Sequence, residues 1–379
     1  MKHLLLALTL MMTSTMPARP TQLYIGTSSA AGAARRGIFT VRFDPATGAL
    51  GDAVPVADVA NPTFLALHPN GRMLYAIDES AGSDGRPGGA VRGFAIDATT
   101  GALTTINEQP SGGAGLTHLV VDATGAAVVG VSYGGGYVVS FPLDAAGRLG
   151  PRVSFIPHQG PLGPNRARQD KPHPHSATLA PDNRFVFVAD LGLDRVFAYR
   201  LDAAGARLAP HAPPFFSVPP GAGPRHTKFS PDGKFFYVLN EVDGTISVCT
   251  YGGDGTARPI QQISTLPAGF KITDEDRAAE IRIRPDGRFV YASNRGANDT
   301  IAVFARDGGT GRLKLVELVP SGGGHPRNFA LSPDGAWLVC ANRDSNNLVS
   351  FRVDPATGRL TPAGRTAGIP LPTCVLFAE

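Results

Sequence analysis

The motif Asp-x-x-(Thr/Ala)-Gly-x-Leu returns along this chain of 379 residues, and its copies constrain the fold more than any other feature. Full copies run Asp44–Leu50, Asp97–Leu103, Asp307–Leu313 and Asp354–Leu360. Altered copies run Asp144–Leu149 and Asp202–Leu208, and a degenerate one stands at Asp254-Gly255-Thr256. These seven start 53, 47, 58, 52, 53 and 47 residues apart. A self-similar period of ~50 residues marks a repeat architecture. Asp and Gly between β-rich segments make tight hairpin turns, so each repeat carries a hairpin in the same place.

A second turn recurs about halfway between these. It stands at Asn70-Gly71-Arg72, Thr124-Gly125, Pro181-Asp182-Asn183-Arg184, Pro231-Asp232-Gly233-Lys234, Pro285-Asp286-Gly287-Arg288 and Pro333-Asp334-Gly335. The flanking runs, such as Phe235–Asn240 and Thr245–Tyr251, are rich in Val, Phe, Tyr and Ile and read as strands. Two hairpins per period give four antiparallel strands, one propeller blade, and leave no room for helices. The fold class is therefore all-β, a seven-bladed β-propeller. Leu371–Phe377 reads as an innermost strand with nothing after it, while Leu23–Thr27 and Gly37–Phe43 read as second and third strands with no first. Together they complete one blade and close the ring, which removes its exposed edges.

Composition sharpens this. A propeller of this size is one domain, here 21–379. The 46 Gly and 33 Pro suit many short strands and turns. A net charge of +4 with no Lys/Arg stripe excludes nucleic acid as the expected partner. Cys249, Cys340 and Cys374 have no metal-ligand spacing and fall inside apolar strands, so buried thiols are expected; a Cys340–Cys374 disulfide between adjacent blades is the alternative. Residues 1–20 have the order of a secretory signal peptide: Lys2-His3, an apolar stretch Leu4–Met12, then small and polar residues to Pro20. The stretch is too short to span a bilayer. Export to the periplasm is the expectation, with a cytoplasmic tail as the alternative, no membrane insertion after cleavage, and a monomer or weak dimer.

Alternating strand direction puts both families of tight turns on one face of the disc. The other face receives the long loops, including Glu79–Val91 and Pro157–Pro174, and long variable loops are where sites are built. Superposing the repeats places Thr63, Thr117, His175, Arg225, Ala279, Arg327 and Thr373 in a ring just ahead of the innermost strands. A second ring, at the ends of the next strands, holds Glu79, Tyr133, Leu191, Glu241, Arg295 and Arg343. His118, His226, Glu280 and His325 lie one or two positions away. Charged groups converging on a concave mouth mark a candidate site, because burying charge is costly unless it is paired or used. The alternative is inter-blade ion pairing, Glu241 with Arg295 and Glu79 with Arg343. The loop before His175 carries Arg166, Arg168 and Lys171, either a basic lid or a solvated linker.

These residues resemble the bacterial lactonase propeller family, which includes a 6-phosphogluconolactonase, and the related carboxy-cis,cis-muconate cyclase. The resemblance runs from about Leu23 to Phe377 and is carried by His173-Pro-His-Ser-Ala177, Gly223-Pro-Arg-His226, Phe236–Glu241, Tyr291-Ala-Ser-Asn-Arg-Gly296 and Gly324-His-Pro-Arg-Asn-Phe329. By motif it implies that His175, Arg225, Glu241 and Arg295 act in catalysis. Glu79, Tyr133, His118, His226, Glu280, His325, Arg327 and Arg343 are then the expected substrate-binding set. The leader departs from the cytosolic lactonase and is similar to exported gluconolactonases. The implied reaction is hydrolysis of a sugar lactone, with Glu241 or His175 as general base and Arg225 and Arg295 holding the carbonyl oxygen. A serine nucleophile is not expected: the Gly-x-Ser-x-Gly string Gly130-Val-Ser-Tyr-Gly134 has no helix after it and so is not a nucleophile elbow. No cofactor or metal is expected, although His118, His173, His175 and Glu241 are the residues that would have to converge on one. A muconate-type cycloisomerase and a non-enzymatic binding propeller are the competing readings.

Overall fold

The computed structural model describes residues 21–28, 37–80 and 88–378. The expected leader and part of the loop between Glu79 and Val91 lie outside the described residues. Among the described residues the strands form seven four-stranded sheets. Within each, consecutive strands pair antiparallel, as in Pro174–Leu179 with Phe185–Asp190 and then Arg195–Asp202. The innermost strands of neighbouring sheets touch around a central axis. The chain is a seven-bladed propeller. Its one described helical turn is the short 3-10 segment Leu191–Leu193.

The closing blade is composite, as expected. Pro372–Phe377 is its innermost strand and pairs with Thr21–Thr27, followed by Ile38–Phe43 and Val54–Ala57. Leu23 faces Phe377 and Ile25 faces Val375 across this seam.

The recurring Asp-x-x-Thr-Gly turn has a structural reason. Within a turn, the Asp354 carboxylate accepts from the backbone N–H of Ala356 and Thr357 and from the Thr357 hydroxyl. The turn glycine then lies against the preceding blade. The Tyr291 hydroxyl donates to Gly358 O at 3.0 Å, Tyr237 to Gly311 O at 2.8 Å, Tyr75 to Gly147 O at 2.8 Å and Tyr24 to Gly101 O at 2.9 Å. Gly358 has φ +73, and a Cβ there would meet the Phe289 ring at 2.3 Å. Glycine is required both for the left-handed turn and for the close approach. In four of the seven periods the turn is thus also a clamp that fastens the blade to the one before it.

Apolar side chains on the sheet faces fill the wedges between blades. Phe187, Phe236, Phe229 and Tyr251 interlock in one of them, with Phe187 and Phe236 centroids 5.0 Å apart. Phe187 and Phe236 are fully buried, and each such side chain stabilises by about 1.5–3 kcal/mol. The three cysteines are free and buried inside these wedges. Burial pushes the Cys249 and Cys374 thiols up to about 12. The buried-thiol expectation holds, and the Cys340–Cys374 disulfide is not formed.

Both families of tight turns meet on one face, where the Arg284 and Arg288 side chains donate to Pro355 O. The polar rings lie on the other.

Candidate active site

In five of the seven blades the inner-ring residue sits at an irregularity in its strand. Pairing of Pro174–Leu179 with its neighbour skips between Pro174 and Ser176, which leaves His175 as the extra residue. The same skip occurs between Pro224 and His226, between Ala278 and Ile281, and between Pro326 and Asn328. Such bulges re-aim a side chain and recur next to functional sites. The residue before the extra one is Pro62, Pro174, Pro224, Pro326 or Pro372 in five of the blades. Proline has no N–H to give to the ladder and is tolerated at a strand start. His325, before Pro326, is held at φ 60, a left-handed conformation in which its backbone N–H donates to Asp299 at 2.9 Å.

Glu241 is the hub. It follows the strand Phe235–Asn240 and is 1% exposed. Its Oε2 accepts from Arg225 Nε at 2.9 Å and from Arg295 Nη2 at 2.8 Å, and its Oε1 accepts from Arg168 Nη2. Arg277 Nε stands 3.8 Å from Oε1 and His175 Nε2 stands 3.9 Å from Oε2. Burial alone would raise the Glu241 carboxyl, but Arg295 and Arg225, then His175 and Arg168, overcome it and hold it well below the ordinary carboxylate range. A carboxylate that accepts from three guanidiniums is a poor proton acceptor and a good anchor. The expected Glu241–Arg295 ion pair is present, within a larger knot.

His175 differs. Burial, reinforced by Arg225, lowers its imidazole well below the usual value, so it is neutral at neutral pH. Arg225 is pushed down to about 10 by burial and by Arg327, and stays charged. His325 Nε2 accepts from Arg295 Nη1 at 3.1 Å, and burial with Arg295 lowers that imidazole to about 3.

Around this knot lies a cavity of about 360 Å3 on the loop face. Its walls include Glu79, Tyr133, His175, Glu241, Arg295 and Arg327, and His325 also borders it. Arg343 lines an adjoining cavity of about 330 Å3 that shares Glu79, His325 and Arg327, and its guanidinium meets Asp344 at 3.1 Å. Arg327 makes no ion pair or hydrogen bond among the described residues, although it borders both cavities. Arg225 lies just beneath, 2% exposed, with Nη1 donating to Ala279 O.

Three residues of the expected binding set lie elsewhere. His118, His226 and Glu280 sit deeper along the axis and do not wall the main cavity. His118 packs against Phe64 with ring centroids 4.0 Å apart, and Glu280, fully buried, accepts from Asn328 Nδ2. For His226 and Glu280 the register shift at the start of the strand accompanies this placement; the strand of His118 pairs without one. His173 is also unavailable as a ligand, stacking on Tyr133 at 4.0 Å and bonding Asp170 and Tyr133 O. Among the described residues no three His, Cys, Asp or Glu side chains are placed to hold a metal ion.

Sequence reasoning missed Arg277 and Glu275 and left Arg168 open, and all three line the cavity. Arg168 comes from the segment read as a lid or linker. That segment is built into the protein: buried Gln169 Nε2 donates to Leu191 O and to Asp194 Oδ1, and Lys171 Nζ donates to Gly134 O. Its Arg, Arg and Lys were the only available signal. Arg277 reaches the site because its blade carries small Ala279 at the ring position.

A family model described as the seven-bladed β-propeller lactonase matches residues 22–377. A 6-phosphogluconolactonase of Bacillus subtilis is 37% identical over 356 residues, covering 93% of this chain and 97% of that protein. One from Formosa agariphila is 34% identical over 86% of this chain and 90% of its own length. The solved structure of a periplasmic gluconolactonase from Pseudomonas aeruginosa superposes with a TM-score of 0.87 at 31% identity, covering 95% of this chain and 99% of that one.

Proposed function

The chain belongs to the lactonase family of seven-bladed β-propellers, and from that premise we propose that it hydrolyses the internal ester of a sugar lactone to the open aldonic acid. Glucono-1,5-lactone and its 6-phosphate are both members of the substrate class, as the names of the relatives indicate. The observation that carries the reading is a cavity walled by guanidiniums and by two neutral imidazoles, of which His325 is engaged by Arg295 and His175 is not.

A sugar lactone is a reactive ester, so three contributions suffice. The attacking water must lose a proton, the tetrahedral oxyanion must be met by positive charge, and the ring oxygen must receive a proton as it leaves. His175 is the proton acceptor in this proposal, since it is neutral and borders the cavity. Arg295 and Arg327 face the developing oxyanion, and Arg327 makes no ion pair among the described residues. Glu241 positions Arg225, Arg295 and Arg168 and is not the base. Glu79 and Tyr133 are placed to bind sugar hydroxyls.

The test is acid release from glucono-, galactono- and 6-phosphogluconolactone by the purified protein, with loss of muconate absorbance as the control reaction. We expect turnover of at least one lactone and none of the muconate. His175→Ala is expected to lower kcat by at least 100-fold while remaining folded. Wild-type inertness toward all three lactones ends this reading.

No helix among the described residues is long and apolar enough to cross a membrane. Export is part of the proposal on the strength of the leader composition. Fractionation of a Gram-negative host making the full chain, with N-terminal sequencing of the product, tests it; an uncleaved cytoplasmic product excludes it.

A further inference from the structure

Beneath the cavity the axis narrows to a chamber of about 10 Å3, bordered by Thr63, Thr117, His175, Arg225, His226 and Arg327 among others. A space of ~10–15 Å3 is what one water needs, provided polar partners surround it. They do. Thr63 Oγ1, His175 Nδ1 and His226 Nδ1 are buried polar atoms without a protein hydrogen bond, and all three belong to residues of this one chamber. Buried polar atoms in native proteins are almost always satisfied, so an unmatched trio around a water-sized space points to a resident water.

The next shell continues the line. The His175 and His226 rings are 5.5 Å apart between centroids. His226 Nδ1 lies 3.2 Å from Glu280 Oε2, too misaligned for a hydrogen bond but close enough for charge to be felt. Glu280 is immobilised: Asn328 Nδ2 donates to Oε2 at 2.5 Å, the Ile281 N–H donates to Oε1 at 3.0 Å, and Arg282 stands 3.4 Å away. Unlike Glu241, it is not bound by three guanidiniums.

We propose that one buried water in this chamber links His175 to His226, and that the His226–Glu280 pair receives the positive charge formed when His175 takes a proton from the attacking water. The inference rests on the lactone reading for its chemistry. The attacking water gives one proton to His175 Nε2 as its oxygen bonds the carbonyl carbon. His175 passes the proton on Nδ1 to the chamber water, which passes one to His226. When the acyl bond to the ring oxygen breaks, the relay runs backward and that oxygen takes the proton. No other reactant is needed. His226 and Glu280 are positioning residues, since neither borders the substrate cavity.

The energetic reason for a relay is that His175 is a weak base by itself. Its surroundings include Arg225, Arg327, His226 and Glu241, and those of His226 include Arg225, Lys228, Arg282, Arg327, His118 and Glu280. Cations dominate both sets. Glu280 is the anion that makes an imidazolium tolerable there.

The test uses Glu280→Gln, close in shape but uncharged, alongside Thr63→Val and Thr63→Ser. Glu280→Gln is expected to lower kcat by at least 10-fold with KM changed less than 3-fold. It should also move the acidic limb of the kcat/KM profile to lower pH, because losing the anion disfavours the imidazolium. A purely structural role would not shift that limb. Thr63→Val is expected to lower kcat by about 5-fold, and Thr63→Ser to restore it. Wild-type kcat and pH profile in folded Glu280→Gln, or wild-type kcat in Thr63→Val, overturn the relay. Nitrogen-15 histidine spectra of the full chain give a readout without turnover, so an inactive wild type would sink the lactone reading and leave the relay separately decided. They should show His175 carrying its proton on Nδ1 and titrating lower in Glu280→Gln. An Nε2-protonated His175, or no response to Glu280→Gln, overturns the proposal.

Discussion

At the scale of single residues, Glu241 concentrates more consequence than any other side chain. Glu241→Gln leaves Arg168, Arg225 and Arg295 around an uncharged amide, and stranding buried charge is expected to cost about 3–5 kcal/mol in chemical denaturation. Loss of under 1 kcal/mol would show that the knot is not held by its carboxylate. The histidines set a different limit. His118, His175 and His226 are all lowered, first by burial, so the folded state binds no proton where the unfolded chain does. The sign follows: stability is fully present above the unfolded value of ~6.5 and falls as pH drops below it, by ~1.4 kcal/mol per pH unit for each such group. Glu241, with a lowered folded value, adds its own loss below ~4.3. Melting temperature measured from pH 8 to pH 4 should therefore begin to fall near 6.5, ahead of the carboxylates. A flat profile down to pH 5 would contradict the neutral, buried histidines. His175, Arg225, Glu241 and Arg295 were legible in the sequence because sevenfold repetition exposes any polar residue standing where others are apolar. Arg168 and Arg277 were not, since one lies outside the repeat and the other fills space left by Ala279.

At the scale of elements, strands and turns could be read almost directly, because alternation and Asp/Gly turn chemistry are local properties. What could not be read was the bulge at the start of the innermost strands. It is a property of two strands in register, and its local trace, a proline before the ring residue, has meaning only once the pairing is known. That omission put His226 and Glu280 in the cavity wall when they belong to the axis beneath it. The clamp between blades is open to measurement. Tyr291→Phe removes the hydroxyl that satisfies Gly358 O and is expected to destabilise by about 1 kcal/mol. Gly358→Ala should be worse, since the residue has φ +73 and its new methyl would press on Phe289. The reverse order in denaturant titrations would mean that the turn, not the aromatic ring, yields.

At the scale of the whole molecule, the composite blade is what turns an array of sheets into a ring. Removing Pro372–Phe377 would bare an inner edge on both sides of the seam and delete Thr373 from the chamber wall. We expect such a shortened protein to lose its single sharp thermal transition and its hydrolytic activity together. Retention of either would show that six blades and a remnant suffice.

The seam also carries a hazard. Thr373 hydrogen-bonds Gly26 across 347 positions of chain, so during refolding the two partners must find each other last and over the longest loop. Until they do, each copy offers an orphan strand and a matching gap, and at high protein concentration a neighbour's strand fills that gap as readily as its own. Refolding from denaturant should therefore yield exchanged dimers in proportion to concentration, and dilution before refolding should suppress them.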